Sequence, residues 1–320
     1  MIRFLAARLL QCLIVLTVMS FLIYALIGLM PGDPIDLMIA ANPDFTSADA
    51  ARLKALYGLD QPLLKRYGNW LFSALGGDFG YSRLYSQPVL DVIGPRLGNT
   101  ALLVGVSLTL SLLLAIPLGI AAAARPYSAM DYLVNLSCFA GISSPPFWLA
   151  LMAIMLFSVT LGWFPAGGQA PPGASLMEEM QHAILPIGVL TIASVGGFTR
   201  FMRASMLQTL RQDYIRTASA KGLTRTRVVY GHALRNALLP LVTVIALSFG
   251  TLFSGALITE TMFAWLGMGK TIYDAILGND FNLALVGLLM ATGMTLLGNV
   301  LADISYVALD PRLDFRAGEQ

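Results

Sequence analysis

Six stretches of this chain are too long and too apolar to fold as anything but membrane spans. They lie near residues 8–30, 98–123, 132–161, 184–208, 236–260 and 283–309. Each can cross a hydrocarbon layer of about 30 Å at about 1.5 Å of rise per helical residue. Backbone N–H and C=O groups find no water in lipid, so the spans must bond internally, which selects helices. Composition matters at one point: 12% of the residues are charged, about half the share of a soluble domain. The expected fold is an all-α integral membrane protein of about six transmembrane helices. A helical subdomain follows the first span, and a short helix lies between spans four and five.

The N-terminal run starts with Arg3 and Arg8 and stays apolar to Met30. A secretory leader has an apolar core of about 7–15 residues and a small-residue cleavage site. Here Pro31-Gly32-Asp33-Pro34 follows instead, so the run reads as an uncleaved first span. Orientation comes from the loops. From Arg211 to Arg235 the chain carries Arg211, Arg216, Lys221, Arg225, Arg227 and Arg235 against Asp213 alone. Basic residues near span ends are retained inside. That rule places this loop and both termini in the cytoplasm, and loops 31–97, 162–183 and 261–282 outside. Loop 162–183 fits, with Glu178 and Glu179 and no Lys or Arg. The expected division is 1–30, a cytoplasmic end and first span; 31–97, an extracytoplasmic helical subdomain; and 98–320, a core of five spans.

Within the subdomain, Thr46 or Ser47 can cap a helix running to Leu56 and stopping at Gly58. Pro62 suits the first turn of a second helix with Leu63, Leu64, Tyr67 and Trp70 as its apolar stripe. The subdomain can be a packed lid, a gate or a docking surface. In the basic loop, Tyr214, Ile215, Ala218 and Leu223 recur at helical spacing, and Gly222 can end that helix in a left-handed cap.

The chain lacks H-E-x-x-H and G-x-S-x-G, and its two histidines, His182 and His232, fall on opposite sides of the membrane. No metal site and no catalytic set is expected. Ala264-Trp-Leu-Gly-Met-Gly-Lys270-Thr271 imitates a phosphate-binding loop. It has Ala where the first Gly is required and a membrane span where a strand is required, so no nucleotide is expected on this chain. The net charge of +2 gives no reason to expect a nucleic acid partner. Glu260 and Asp303 lie near span ends, and no ionisable group stands out as a buried relay, which argues against the alternative of a self-sufficient channel or an ion-coupled carrier. Arg200 and Arg203, near the inner end of span four, fit either snorkelling to the interface or a gate. Ser143-Ser144-Pro145-Pro146 should kink span three, for packing or to line a pathway. Ala115, Gly119 and Ala123 form a small-residue ridge for close helix packing. Cys12 and Cys138 lie in apolar runs and imply no disulfide.

Several motifs resemble those of the inner-membrane permease subunits of binding-protein-dependent ABC importers, in the peptide/nickel branch. These are Pro31-Gly32-Asp33-Pro34, Gly58-Leu59-Asp60-Gln61-Pro62, Gly77-Asp78-Phe79-Gly80-Tyr81-Ser82, Gly141-Ile142-Ser143 and Leu309-Asp310-Pro311-Arg312. Arg216-Thr217-Ala218-Ser219-Ala220-Lys221-Gly222 is similar to the coupling loop E-A-A-x-x-x-G followed further on by I-x-L-P. Ala218 and Gly222 fit that pattern, and His232 with Leu234 occupies the I-x-L position. Arg216 replaces its Glu, Thr217 its first Ala and Arg235 its Pro, departures that resemble the R-T-A-x-A-K-G and H-x-L-R-N forms of the peptide branch. Leu266 stands where many members have Pro.

The resemblance implies a non-catalytic half-channel in the bacterial inner membrane. It implies a second homologous permease, two cytoplasmic ATPases that bind ATP and Mg, an extracytoplasmic solute-binding protein, and lipid around the spans. Tyr214, Arg216, Thr217, Ala218, Lys221, Gly222, His232 and Leu234 would form the coupling contact, with small Ala218 and Gly222 letting the ATPase approach. Ser144, Pro145, Arg200 and Arg203 are the pathway or gate candidates. Di- or oligopeptides are the implied cargo; nickel chelates, glutathione, opines and oligosaccharides are the alternatives.

Overall fold

A computed structural model describes residues 2–29 and 61–309. The Pro31–Pro34 motif, the helix expected between Ser47 and Leu56, Gly58 through Asp60, and the terminus beyond Leu309 lie outside the described residues. Among the described residues, five helices are long and apolar enough to cross a membrane, and a sharply bent pair raises the number to as many as six. The chain divides into two compact units, Met1–Asn99 with Gly267–Leu296, and Thr100–Leu266 with Leu297–Gln320.

The first unit holds α1 (Ile2–Gly28), α2 (Leu63–Leu75), a hairpin of β1 (Tyr81–Ser82) and β2 (Gln87–Pro88), and α10 (Met268–Leu277). It also holds the start of α3 (Val89–Ala124) and of α11 (Phe281–Leu309). On α2 the apolar stripe divides. Tyr67 shares a 2.7 Å hydrogen bond with Ser20 and packs edge-on to Phe21 and Tyr24 of α1, whereas Leu63 and Leu64 are exposed. The packed face is therefore narrower than the apolar stripe predicts. The hairpin has no counterpart in the sequence expectations, because two-residue strands carry no periodicity. Gly80 has φ +85, and a Cβ there would stand 2.6 Å from Asn282 Nδ2. Ser82 Oγ (2.6 Å) and the Leu84 N–H (3.0 Å) both donate to Oδ2 of buried Asp280. Its Oδ1 accepts from Leu283 N–H at 3.3 Å and caps α11. These bonds explain why residues 267–296 pack with the N-terminal part, which the division at 97/98 did not anticipate. Helix α3 likewise starts at Val89, ahead of the expected span. Val89, Val92 and Ile93 are its buried face, masked in sequence by Asp91, Gly94 and Pro95 between and after them.

The second unit holds the rest of α3, α4 (Ala129–Ser143), α5 (Pro146–Ala153) with a π-helical continuation Ile154–Thr160, and α6 (Leu176–Leu210). It continues with α7 (Asp213–Ala220), the single turn α8 (Arg225–Arg227), a π-helical stretch Val228–Ala233, and α9 (Leu234–Met262). The kink expected in span three is a break: α4 meets the α5 segment at 97°. Two consecutive prolines explain it. The residue before a proline avoids the helical region, and Ser144 and Pro145 each precede one; their ψ values are 120 and 136. Pro146 then opens α5, where a missing N–H is harmless.

Helix α6 begins at Leu176, ahead of the expected 184. Ser175 and Glu178 form a reciprocal capping box, with Ser175 N–H donating to Glu178 Oε2 at 2.8 Å. Glu178 and Glu179 are thus first-turn residues that complement the helix dipole rather than loop acids. Small residues set the helix spacing. A Cβ on Gly119 would stand 2.7 Å from Met202 Cβ, and one on Gly196 would stand 2.7 Å from the Cys138 carbonyl oxygen. The residues preceding Ala264 form α9 and not a strand, which removes the phosphate-loop likeness.

Candidate functional site: a basic amphipathic helix and an arginine groove

Helix α7 is eight residues long and lies between the two long helices α6 and α9. Its sequence allows two faces, and the structure uses both. Ile215 and Ala218 are buried in a cluster with Met202, Met206, Val228, Val229 and Ala233. Tyr214, Arg216, Thr217 and Lys221 are exposed. Gly222 ends the helix with φ +79, and an added Cβ there would meet open space. Only the backbone conformation, therefore, demands glycine at 222.

The return segment is helical where a loop was expected. Arg225 to Ala233 runs through one α turn and a π-helical stretch straight into α9. Two polar contacts pin the assembly: Asn236 Nδ2 donates to Tyr214 Oη at 2.9 Å, and an Arg225 guanidinium N–H donates to the Ala124 carbonyl. His232 is exposed and Leu234 is part-buried against the same cluster. The Arg216–Asp213 pair, at 3.8 Å and fully in solvent, adds little, so the arginine can engage another partner.

The structure corrects one expected role. Ala218 does not present a small surface to a partner, since it packs into this chain's own core. Its small side chain fits the packing of α7 against the Val228–Ala233 stretch.

The second constellation gathers around α4 and α6. Arg203 Nε and Nη2 donate to the two oxygens of Asp131, each at 2.6 Å, in a bidentate pair with the carboxylate buried. Asn135 Nδ2 donates to the same carboxylate at 2.7 Å. Ser128 caps α4 one turn earlier, accepting from the Asp131 N–H. Arg200, one turn from Arg203, lays its guanidinium 4.7 Å from the Phe139 ring centre. Between them lies an open groove of about 480 Å³ lined by Asn135, Phe139, Gly197, Arg200, Phe201 and Arg203. Ser144 and Pro145 lie at the break of α4; Ser144 Oγ donates to Ala140 O at 2.8 Å, and Pro145 is exposed.

Sequence reading names both arginines and misses Asp131. The acid follows Ser128 in an S-x-x-D capping pattern, which is a usable signal, but its partner lies 72 residues away. The sequence reading expects no buried relay at membrane depth, and it does not foresee that two acids at helix ends are buried. Asp131 is buried against Arg203, and Glu260, fully buried in α9, accepts from Thr100 Oγ1.

Long apolar helices, a broken span and a short helix set between two spans define a multi-pass all-α membrane protein. The chain belongs to the family described as binding-protein-dependent transport system inner membrane component, which matches residues 115–315, and its N-terminal companion matches residues 1–104. The oligopeptide transport system permease protein AppB of Bacillus subtilis is 38% identical over 318 residues, covering 98% of this chain and 100% of that protein. The dipeptide transport system permease protein DppB of Escherichia coli is 35% identical, covering 92% and 93%. Among solved structures, an inward-facing MetNI methionine ABC transporter chain superposes with TM-score 0.55 at 19% identity, over 69% of this chain and 97% of that one. That likeness is one of fold.

Proposed function

We propose that this chain forms part of the translocation pathway of a peptide importer driven by ATP that other chains hydrolyse. The oligopeptide and dipeptide permeases, similar over nearly the whole chain, support peptides as cargo. In this reading the chain sits in the bacterial inner membrane with both termini cytoplasmic. It pairs with a second, similar permease. Two ATPases bind its cytoplasmic face and hold ATP and Mg, and an external solute-binding protein delivers the peptide. The chain performs no catalysis. Ser144 and Pro145, at the break of α4, and Arg200 border the pathway, while Arg203 fixes the local geometry through Asp131.

The observation that carries this reading is the two-faced α7. Its inner face is locked to the core under α6 and α9, so force on its outer face is passed to two spans. Its outer face offers Arg216, Thr217 and Lys221 beside a left-handed stop at Gly222, with Arg225, Arg227 and His232 exposed beyond it. Such a basic ridge suits an acidic groove on an ATPase, where charge complementarity sets register and speeds docking. Closing of the ATPases around ATP would then bias the spans between two arrangements.

The test is a double charge reversal, Arg216→Glu with Lys221→Glu, and separately Gly222→Val. The charge reversal leaves the buried face intact, whereas Gly222→Val strains the left-handed stop at φ +79. The amount of assembled importer in the membrane is measured for both, and the charge reversal should assemble as the parent does. Peptide uptake should fall at least about tenfold while ATP hydrolysis loses its dependence on the binding protein; a tenfold change corresponds to about 1.4 kcal/mol of coupling. Uptake at the parent rate in both variants would remove α7 from the coupling path.

A further inference from the structure

We propose that the Arg200 groove is a carboxylate-recognition site for the transported solute, contacted as the solute passes α4; this rests on the peptide-importer reading. The groove's charge is uneven. Arg203 is neutralised by Asp131 through two 2.6 Å bonds. Arg200, one turn away, has the Phe139 ring as its partner among the described residues and no carboxylate. Two arginines against one aspartate leave one positive charge beside an open groove of about 480 Å³. That volume suits a short peptide, and aromatic walls with a few convergent polar groups are the usual make-up of a solute site. Phe139 holds the guanidinium by its π face, which leaves the N–H edge free to take a carboxylate in bidentate fashion.

The groove borders water or protein and not lipid, as the course of α4 indicates. Asn135, Phe139 and Ser143 succeed one another at four-residue spacing, on one side of the helix. Asn135 and Phe139 line the groove, and Ser143 ends the helix where the backbone leaves helical geometry at Ser144 and Pro145. Open, non-helical backbone at membrane depth is tolerated only inside protein or against a water-filled cavity. Pro145 is exposed on the single chain, so in the assembly the break faces a water-filled cavity or the paired permease, and in neither case lipid. Charged side chains within spans face such cavities by the same cost argument. Arg200 is then an anion contact on the route, with Arg203 and Asp131 as the rigid frame that aims it.

The measurement is uptake of trialanine and of trialanine amide by the assembled importer in proteoliposomes, for the parent, Arg200→Gln and Arg200→Lys. Comparing variant with parent for the same solute cancels the binding protein's own preference. Arg200→Gln should cut the preference for trialanine over its amide by about tenfold or more, as expected for a lost charge-assisted bond. Arg200→Lys should keep most of it. An unchanged preference in Arg200→Gln, or an equal fall for both solutes, overturns the proposal. So does an Arg200→Gln effect that vanishes in vesicles of phosphatidylcholine alone and returns with phosphatidylglycerol, which assigns the groove to a lipid phosphate. If the parent moves neither solute although the binding protein stimulates its ATPases, the peptide reading itself fails, a result separate from the others.

Discussion

Asp131 and Arg203 tie the first turn of α4 to the last two turns of α6, and Asn135 completes the set. A buried ion pair stabilises little on balance, because desolvation offsets attraction, but stripping one partner leaves an uncompensated charge. Asp131→Ala should therefore cost about 3 kcal/mol, the lower end of the usual range, since Arg203 keeps some contact with water. Adding Arg203→Leu should recover at least half of that loss. Thermal unfolding of the purified chain in detergent, run as a double-mutant cycle, reads both effects. Equal, additive losses would mean that the pair acts through packing and not through charge. Of this site, the sequence discloses the arginines, because cations in an apolar run are conspicuous. It does not disclose the aspartate, which lies next to a turn and looks like a cap.

Between α4 and α6 the packing turns on glycine. A Cβ at Gly196 would press to 2.7 Å from the Cys138 carbonyl oxygen, which cannot rotate away, while one at Gly188 on the same helix meets nothing within 4 Å. Gly196→Ala should destabilise by about 1–3 kcal/mol through forced separation of the helices. Gly188→Ala should be neutral, or gain up to about 1 kcal/mol from reduced backbone freedom in the unfolded chain. Parallel melting curves of the two variants check the contrast. The elements themselves are largely legible in the sequence. Long apolar runs force helices, Gly222 punctuates α7, and two adjacent prolines disrupt span three. What escapes is where elements continue past their apolar runs. Leu176 to Ala183 in α6 and Val89 to Leu97 in α3 are helical, yet their polar and Gly/Pro residues hide the period. The 97° turn at Ser144–Pro145 exceeds a proline kink because both residues are pushed out of the helical region at once. The buried inner face of α7 also escapes, since a small residue reads the same whether it admits a partner or its own core.

At the scale of the whole molecule, the proposed reading gives this chain a path and a lever but no energy source. Apolar helices, a broken span beside an arginine groove, and an exposed basic helix between two spans serve that division of labour. The direct measurement is uptake of labelled trialanine into proteoliposomes, with the assembled importer compared with this chain and its paired permease lacking the ATPases. The predicted result is accumulation that requires ATP and the ATPases, and none from the permeases alone under a proton or sodium gradient. Gradient-driven accumulation without the ATPases would contradict this division and mark the chain as a carrier in its own right.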